Sequence, residues 1–310
     1  MKMRMKKEAS VTLRDGCNKY LEYCKVRNLR PATLDHYTRS YNKYFKYLNP
    51  DMPLSKVNED TYNQLILSLR ETLTNDVTVQ GYMQDFIATM RYLIDEGYVK
   101  PFKMKRIRAD HHAKETYTED EIQKLLKKPD VKKCTYMEYQ SWVISNLLFA
   151  TGIRRNSMVN LKVSDIDFDN SVISIKVTKN RKPLLIPITN TLLNILKEFL
   201  KHRQAQNDDA YLFCNAYGQQ FLDGTLNKAM DFYNHKRGVE STGLHKWRHT
   251  FAKQWILNGG NVVVLSRLLG HSSLQITQGY INLLVSDMAK DVEEINLLNK
   301  FAAKQSIKMR

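Results

Sequence analysis

Acidic side chains are the scarce ones in this chain. Against 48 Lys and Arg stand only 32 Asp and Glu, a formal charge of +16 over 310 residues. The imbalance runs through both halves and favours a polyanionic partner, although charge alone names no function. Cysteine is sparse too. Cys17, Cys24, Cys134 and Cys214 are scattered with no CxxC pair, which excludes a disulfide framework and implies buried free thiols in a reducing compartment. No run approaches the roughly 18 apolar residues of a membrane span, and the basic start MKMRMKKEAS leads into no apolar signal core. A soluble, unexported, cytoplasmic protein without a membrane partner is therefore expected. Repeats and low-complexity tracts are missing as well, which leaves a globular chain long enough for two domains.

What the chain does contain is, first, helical periodicity. After a basic segment at 1–9, apolar residues keep helical spacing through 10–98: Leu13, Cys17, Tyr20 and Cys24, then Leu34, Tyr37, Tyr41, Tyr44 and Leu48. Asn58 stands as a plausible N-cap before Tyr62, Leu65, Ile66 and Leu69, and a further helix carries Tyr82, Phe86, Met90 and Leu93 and stops at Gly97. The tyrosines alternate with Arg39, Lys43 and Lys46. Two readings of that face stand: a core stripe with a solvated flank, or rings and cations that meet bases and phosphates.

Residues 99–114 form a basic linker with Lys103, Lys105 and Arg106 placed to lie along a phosphate backbone. A second domain follows over 115–284, opened by Thr118 and Glu121 in capping-box spacing. Inside it, Val172, Ile173, Ile175 and Val177 meet Leu184, Leu185 and Ile186 across the polar tip Lys179-Asn180-Arg181-Lys182, which reads as a β-hairpin. From Thr189 onward the pattern is helical again. The fold class expected is mainly α with one small antiparallel sheet.

The chemistry-bearing segment is His245-Lys246-Trp247-Arg248-His249. Two histidines four apart suggest zinc, but Lys246 stands where a metalloprotease needs its Glu, and Arg248 would set a cation beside the metal, so no metal site is expected. Read as H-x-x-R, His245 and Arg248 lie one helical turn apart and converge on one phosphate. Upstream lies Thr151-Gly152-Ile153-Arg154, and downstream Leu269-Gly270-His271 and Gly279-Tyr280.

The order Arg154, Lys179, His245-x-x-Arg248, Gly270-His271, Tyr280 resembles the tyrosine recombinase, or phage integrase, family in its simple two-domain Xer-like form, from about Thr118 to Tyr280. The N-terminal bundle is similar to that family's core-binding domain only in size and helical character. One departure is clear: the family's Glu three residues after the first arginine is Ser157 here, so Arg154 must be oriented by something else. Lys179 is preferred over its neighbours Lys176, Arg181 and Lys182 because its distance before Pro187 matches the family hairpin.

The resemblance implies an N-terminal core-binding bundle and a C-terminal catalytic domain forming a clamp around DNA. It further implies cutting and rejoining through a 3′-phosphotyrosyl intermediate, with Tyr280 as nucleophile, Lys179 as general acid and Arg154, Arg248, His245 and His271 stabilising the phosphate. No cofactor, metal or ATP is then required. The expected partner is double-stranded DNA with paired recombination sites, bound by a homotetramer. An apolar stripe of Met288, Val292, Ile295, Leu298 and Ala302 in the tail 285–310 is expected to dock on a neighbouring protomer. With the first helix starting soon after residue 10, no arm-binding domain is expected. Two other functions remain open at this level, a type IB topoisomerase-like relaxing enzyme and a catalytically silent DNA-binding regulator of the same fold.

Overall fold

The computed structural model describes residues 11–110, 115–176, 178, 182–205, 207–222, 224–271, 273 and 277. It divides into two compact units, Met1–His112 and Ala113–Arg310.

The first unit is a bundle of four helices, α1 (Leu13–Val26), α2 (Pro31–Tyr44), α3 (Glu59–Thr72) and α4 (Asp76–Asp95). Side chains that satisfy orphan backbone N–H groups set three of its helix starts. Thr12 and Asp15 form a reciprocal capping box, Asn58 and Thr61 form another, and Asn75 accepts from Val77 and Thr78. α4 ends at Gly97, whose φ of +77° lets its N–H reach the Ile94 carbonyl while that of Tyr98 reaches Leu93. Gly16 lies where α1 meets α4, and a Cβ there would stand 2.9 Å from Leu93.

The tyrosine stripe proves to be core. Tyr41 and Tyr44 are buried, the first bonded to Thr89 Oγ1 at 2.9 Å and the second donating to the Tyr82 carbonyl at 2.5 Å. At these two positions the buried ring comes inside with a partner for its hydroxyl.

The basic stretch after α4 is no loose connector. Phe102, Met104 and Ile107 pack on the bundle core, Tyr62 donates to the Lys105 carbonyl at 2.6 Å, and Gln80 donates to that of Ile107 at 2.8 Å. Sequence periodicity missed this because a strap held by its own carbonyls needs no regular apolar repeat. Lys103, Lys105, Arg106 and Arg108 stay exposed along it.

The second unit is built around α6 (Tyr136–Thr151), which is buried on nearly every side and packs against α5 (Glu119–Leu126), α8 (Asn190–Arg203), α9 (Thr225–Lys236) and α10 (Leu244–Leu257). The capping box of Thr118 and Glu121 opens α5 as its spacing implied. The short helices α7 (Arg155–Val159) and α11 (Val262–Leu268) join them. The sheet is antiparallel in the order β1 (Ile166–Asp167), β2 (Val172–Ile175) and β3 (Leu184–Pro187). Register pairs Ile173 with both Ile166 and Ile186, so the buried face carries Ile173, Ile175 and Ile186 into the core beside Leu147, Leu148 and Trp247. The mainly helical class with a small antiparallel sheet is therefore observed. β1 went unread because two residues carry no alternation. No helix among the described residues is long and apolar enough to cross a membrane.

Candidate active site

The site begins with a glycine. α6 stops at Gly152 in the left-handed region, at φ +58°, and a Cβ there would stand 2.3 Å from Phe251 and 2.8 Å from Leu269. Only glycine permits both the turn and that close approach. Two residues on, Arg154 caps α7 with extended backbone and sends its side chain to the end of α11.

That end is shaped by a second glycine. Gly270, at φ +58°, donates its N–H to the Arg267 carbonyl while that of His271 reaches Ser266. The closing turn leaves the carbonyls of Leu269 and Gly270 pointing at cations. Arg154 Nη1 donates to them at 3.1 and 3.2 Å. These carbonyls supply the orientation that Ser157, buried three residues after Arg154, offers no carboxylate to supply.

Arg248 arrives from α10 and is only 5% exposed. Its Nη1 donates to the Gly152 carbonyl at 2.8 Å, and its Nη2 donates to Leu269 at 2.8 Å and contacts His271 Nε2 at 2.9 Å. The Leu269 carbonyl thus receives both guanidiniums, which places two permanent cations side by side. Beside them lies a cavity of about 150 Å³ whose polar lining is Arg154, Ser157, Thr178, Lys182, Arg248 and His271. Paired planar donors over a small recess make a cradle for a tetrahedral oxyanion such as a phosphate in transfer.

His245 stands one turn before Arg248 on α10 and remains exposed. Loss of hydration, then the charges of Arg248, Arg154 and Arg155, hold its imidazolium below the ordinary 6.5. Lys246 points away from this face, with its ammonium hydrogen-bonded to Ser241 and 4.6 Å over the Tyr117 ring.

Of the sequence-predicted site residues, Arg248 contacts His271, Arg154 meets Arg248 on the Leu269 carbonyl, and His245 lies one turn before Arg248 on α10. Lys179, Tyr280 and the tail 285–310 lie outside the described residues. At the hairpin, Thr178 Oγ1 donates to the Lys182 carbonyl at 2.7 Å, and Lys182 reaches the cavity. Lys176 is tied to Asp165 at 2.6 Å, a hydrogen bond and charge that raise its pKa and make it a poorer acid. Arg39, Lys43 and Lys46 lie on or just after α2, and Lys103, Lys105 and Arg106 lie on the strap, all in the first unit. Lys43 is the most engaged, with its ammonium 3.5 Å from Thr72 Oγ1 and 5.4 Å from the Tyr47 ring centre. Sequence reasoning missed the carbonyls of Gly152, Leu269 and Gly270. Their signal was the glycine before Ile153 and the one before His271.

Residues 115–286 match the phage integrase family, and 12–109 match the phage integrase SAM-like domain. The chain is 31% identical to tyrosine recombinase XerA of Pyrococcus furiosus over 58% of its own length and 62% of that protein's. It is 24% identical to tyrosine recombinase XerC of Chlamydia caviae over 84% of this chain and 92% of that one. Among solved structures it shares its fold with XerH site-specific recombinase bound to a difH substrate, at a TM-score of 0.75 and 19% identity over 96% of this chain and 100% of that one.

Proposed function

This chain belongs to the phage integrase family and is a site-specific tyrosine recombinase that cuts and rejoins DNA, and from that premise we propose that it works through Tyr280 with Lys179 as proton donor. Tyr280 Oη gives up its phenol proton to water and attacks the scissile phosphorus, the bond from phosphorus to the 5′ oxygen breaks, and a 3′-phosphotyrosyl link forms. The departing 5′ oxygen takes a proton from Lys179, because an alkoxide leaves poorly. Attack of a 5′-hydroxyl on the phosphotyrosine reverses these steps and rejoins the strand, so the bond energy is kept and no nucleotide is spent.

The observation that carries this reading is the meeting of Arg154 and Arg248 on the Leu269 carbonyl, with His271 in contact. Two guanidiniums fixed in place bring positive charge and their remaining N–H groups to the non-bridging oxygens where transition-state charge develops. His245 adds an imidazole donor from the same helix face as Arg248. Charge neutralisation is thereby assigned to side chains rather than to a metal. The binding partner is double-stranded DNA carrying paired sites, held by four protomers in the cytoplasm, with residues 285–310 linking neighbours.

The test uses a nicked suicide substrate that traps the covalent intermediate. Wild type is expected to form a protein–DNA adduct in the presence of EDTA, and Tyr280→Phe to bind the same DNA without forming one. An adduct that persists in Tyr280→Phe moves the nucleophile elsewhere, and loss of the wild-type adduct in EDTA refutes the metal-free mechanism.

A further inference from the structure

The contact between Arg248 and His271 determines where the histidine keeps its proton. A guanidinium has only N–H donors, so the 2.9 Å approach of Arg248 Nη2 to His271 Nε2 makes that ring nitrogen an acceptor. In the neutral ring the proton then sits on Nδ1, which faces the Thr277 hydroxyl at 2.8 Å. Thr277 is completely buried, so its oxygen receives this bond in a place closed to water. A line of contacts therefore runs from Thr277 through His271 to Arg248, and from Arg248 to the carbonyls of Gly152 and Leu269.

The geometry points to Thr277 as a positioning residue for strand cleavage: its hydroxyl holds His271 in the Nδ1–H form and in the ring orientation that aims Arg248 at the scissile phosphate. Removing the hydroxyl leaves the Nδ1–H without this acceptor, which favours a ring flip or shift that withdraws Nε2 from Arg248. Partners that orient a functional histidine from behind commonly carry about tenfold to a hundredfold of activity. Thr277 also lies three residues before Tyr280, so the short segment that carries the nucleophile carries this anchor as well. The inference rests on the recombinase reading above.

The experiment measures adduct formation on the nicked substrate by full-length wild type, Thr277→Val, Thr277→Ser, His271→Ala and the double variant Thr277→Val with His271→Ala. Thermal melting and DNA binding are followed in parallel. Thr277→Val is expected to slow the adduct about tenfold to a hundredfold at unchanged DNA affinity, and Thr277→Ser to recover to within about threefold of wild type. In the His271→Ala background, Thr277→Val should add nothing, because its effect passes through that ring. If valine fails to fold, Thr277→Ala enters the same cycle. The proposal is overturned by a Thr277→Val rate equal to wild type, by serine and valine being equally slow, or by the same loss appearing again without His271. An adduct that survives Tyr280→Phe instead overturns the recombinase mechanism beneath it, so the two failures are told apart.

Discussion

Replacing Arg248 by lysine keeps the charge and removes the fork, which makes it the sharpest probe of the pocket. Arg248 reaches the Gly152 carbonyl through Nη1 and the Leu269 carbonyl and His271 through Nη2. A lysine ammonium is a single point on a shorter reach, and it cannot span acceptors that arginine meets with two separate nitrogens. At least one buried acceptor then loses its donor, at a cost of about 1–3 kcal/mol. For a unit of this size that corresponds to a fall in Tm of about 2–12 °C. The rate suffers more, because the phosphate loses a guanidinium donor held in fixed position where charge develops; by analogy with removal of an oxyanion donor, cleavage should fall about a hundredfold to a thousandfold. Affinity for DNA should hardly change, since the neutralised phosphate still meets a cation. Single-turnover cleavage, thermal melting and filter binding on the same preparations separate these effects. A lysine variant cleaving within about fivefold of wild type would refute the idea that the fork, rather than the charge, is what the site uses.

Three further outcomes are expected. Lys179→Ala should cleave ordinary DNA slowly and recover on a 5′-bridging phosphorothiolate, whose sulfur leaves without a proton, whereas Lys176→Ala, which breaks the pair with Asp165, should show no such selective rescue; the reverse pattern would reassign the acid. Replacing Lys103, Lys105 and Arg106 together should flatten the slope of log affinity against log salt by up to about 2.7, at about 0.9 for each phosphate left without its cation, and an unchanged slope would remove the strap from the DNA interface. The depressed pKa of His245 means that the unfolded chain binds its proton first as pH falls through 6.5, so the folded state loses stability from there down to the lowered folded-state value and has no such loss above. Tm measured between about pH 8 and about pH 5, on either side of the ordinary imidazole value, should therefore drop less in His245→Gln than in wild type; an equal or steeper drop would contradict a lowered pKa for this ring.

Much of the architecture could be read from residues alone, because local chemistry acts over a few neighbours. Asn58 and the Thr118–Glu121 box mark helix starts wherever they occur, and β2 and β3 announce themselves by alternation. The ordered series Arg154, His245, Arg248 and His271 was legible for a different reason: its order along the chain resembles that of a known family, whatever holds the side chains in place. What holds them was not legible. The acceptors that orient Arg154 and Arg248 are backbone carbonyls, which every residue possesses and no sequence distinguishes. Two left-handed glycines, Gly152 and Gly270, turn those carbonyls toward the cations, and they act across 96 to 116 residues of chain. The same holds for the strap at Phe102, Met104 and Ile107, whose place on the bundle depends on Tyr62 and Gln80 reaching its carbonyls. Sequence by itself determined which groups are available, where capped helices such as α3 and α5 begin, and that β2 and β3 form a pair. Only tertiary structure decided which nitrogen of His271 keeps its proton, because that depends on an arginine 23 residues away being packed against it.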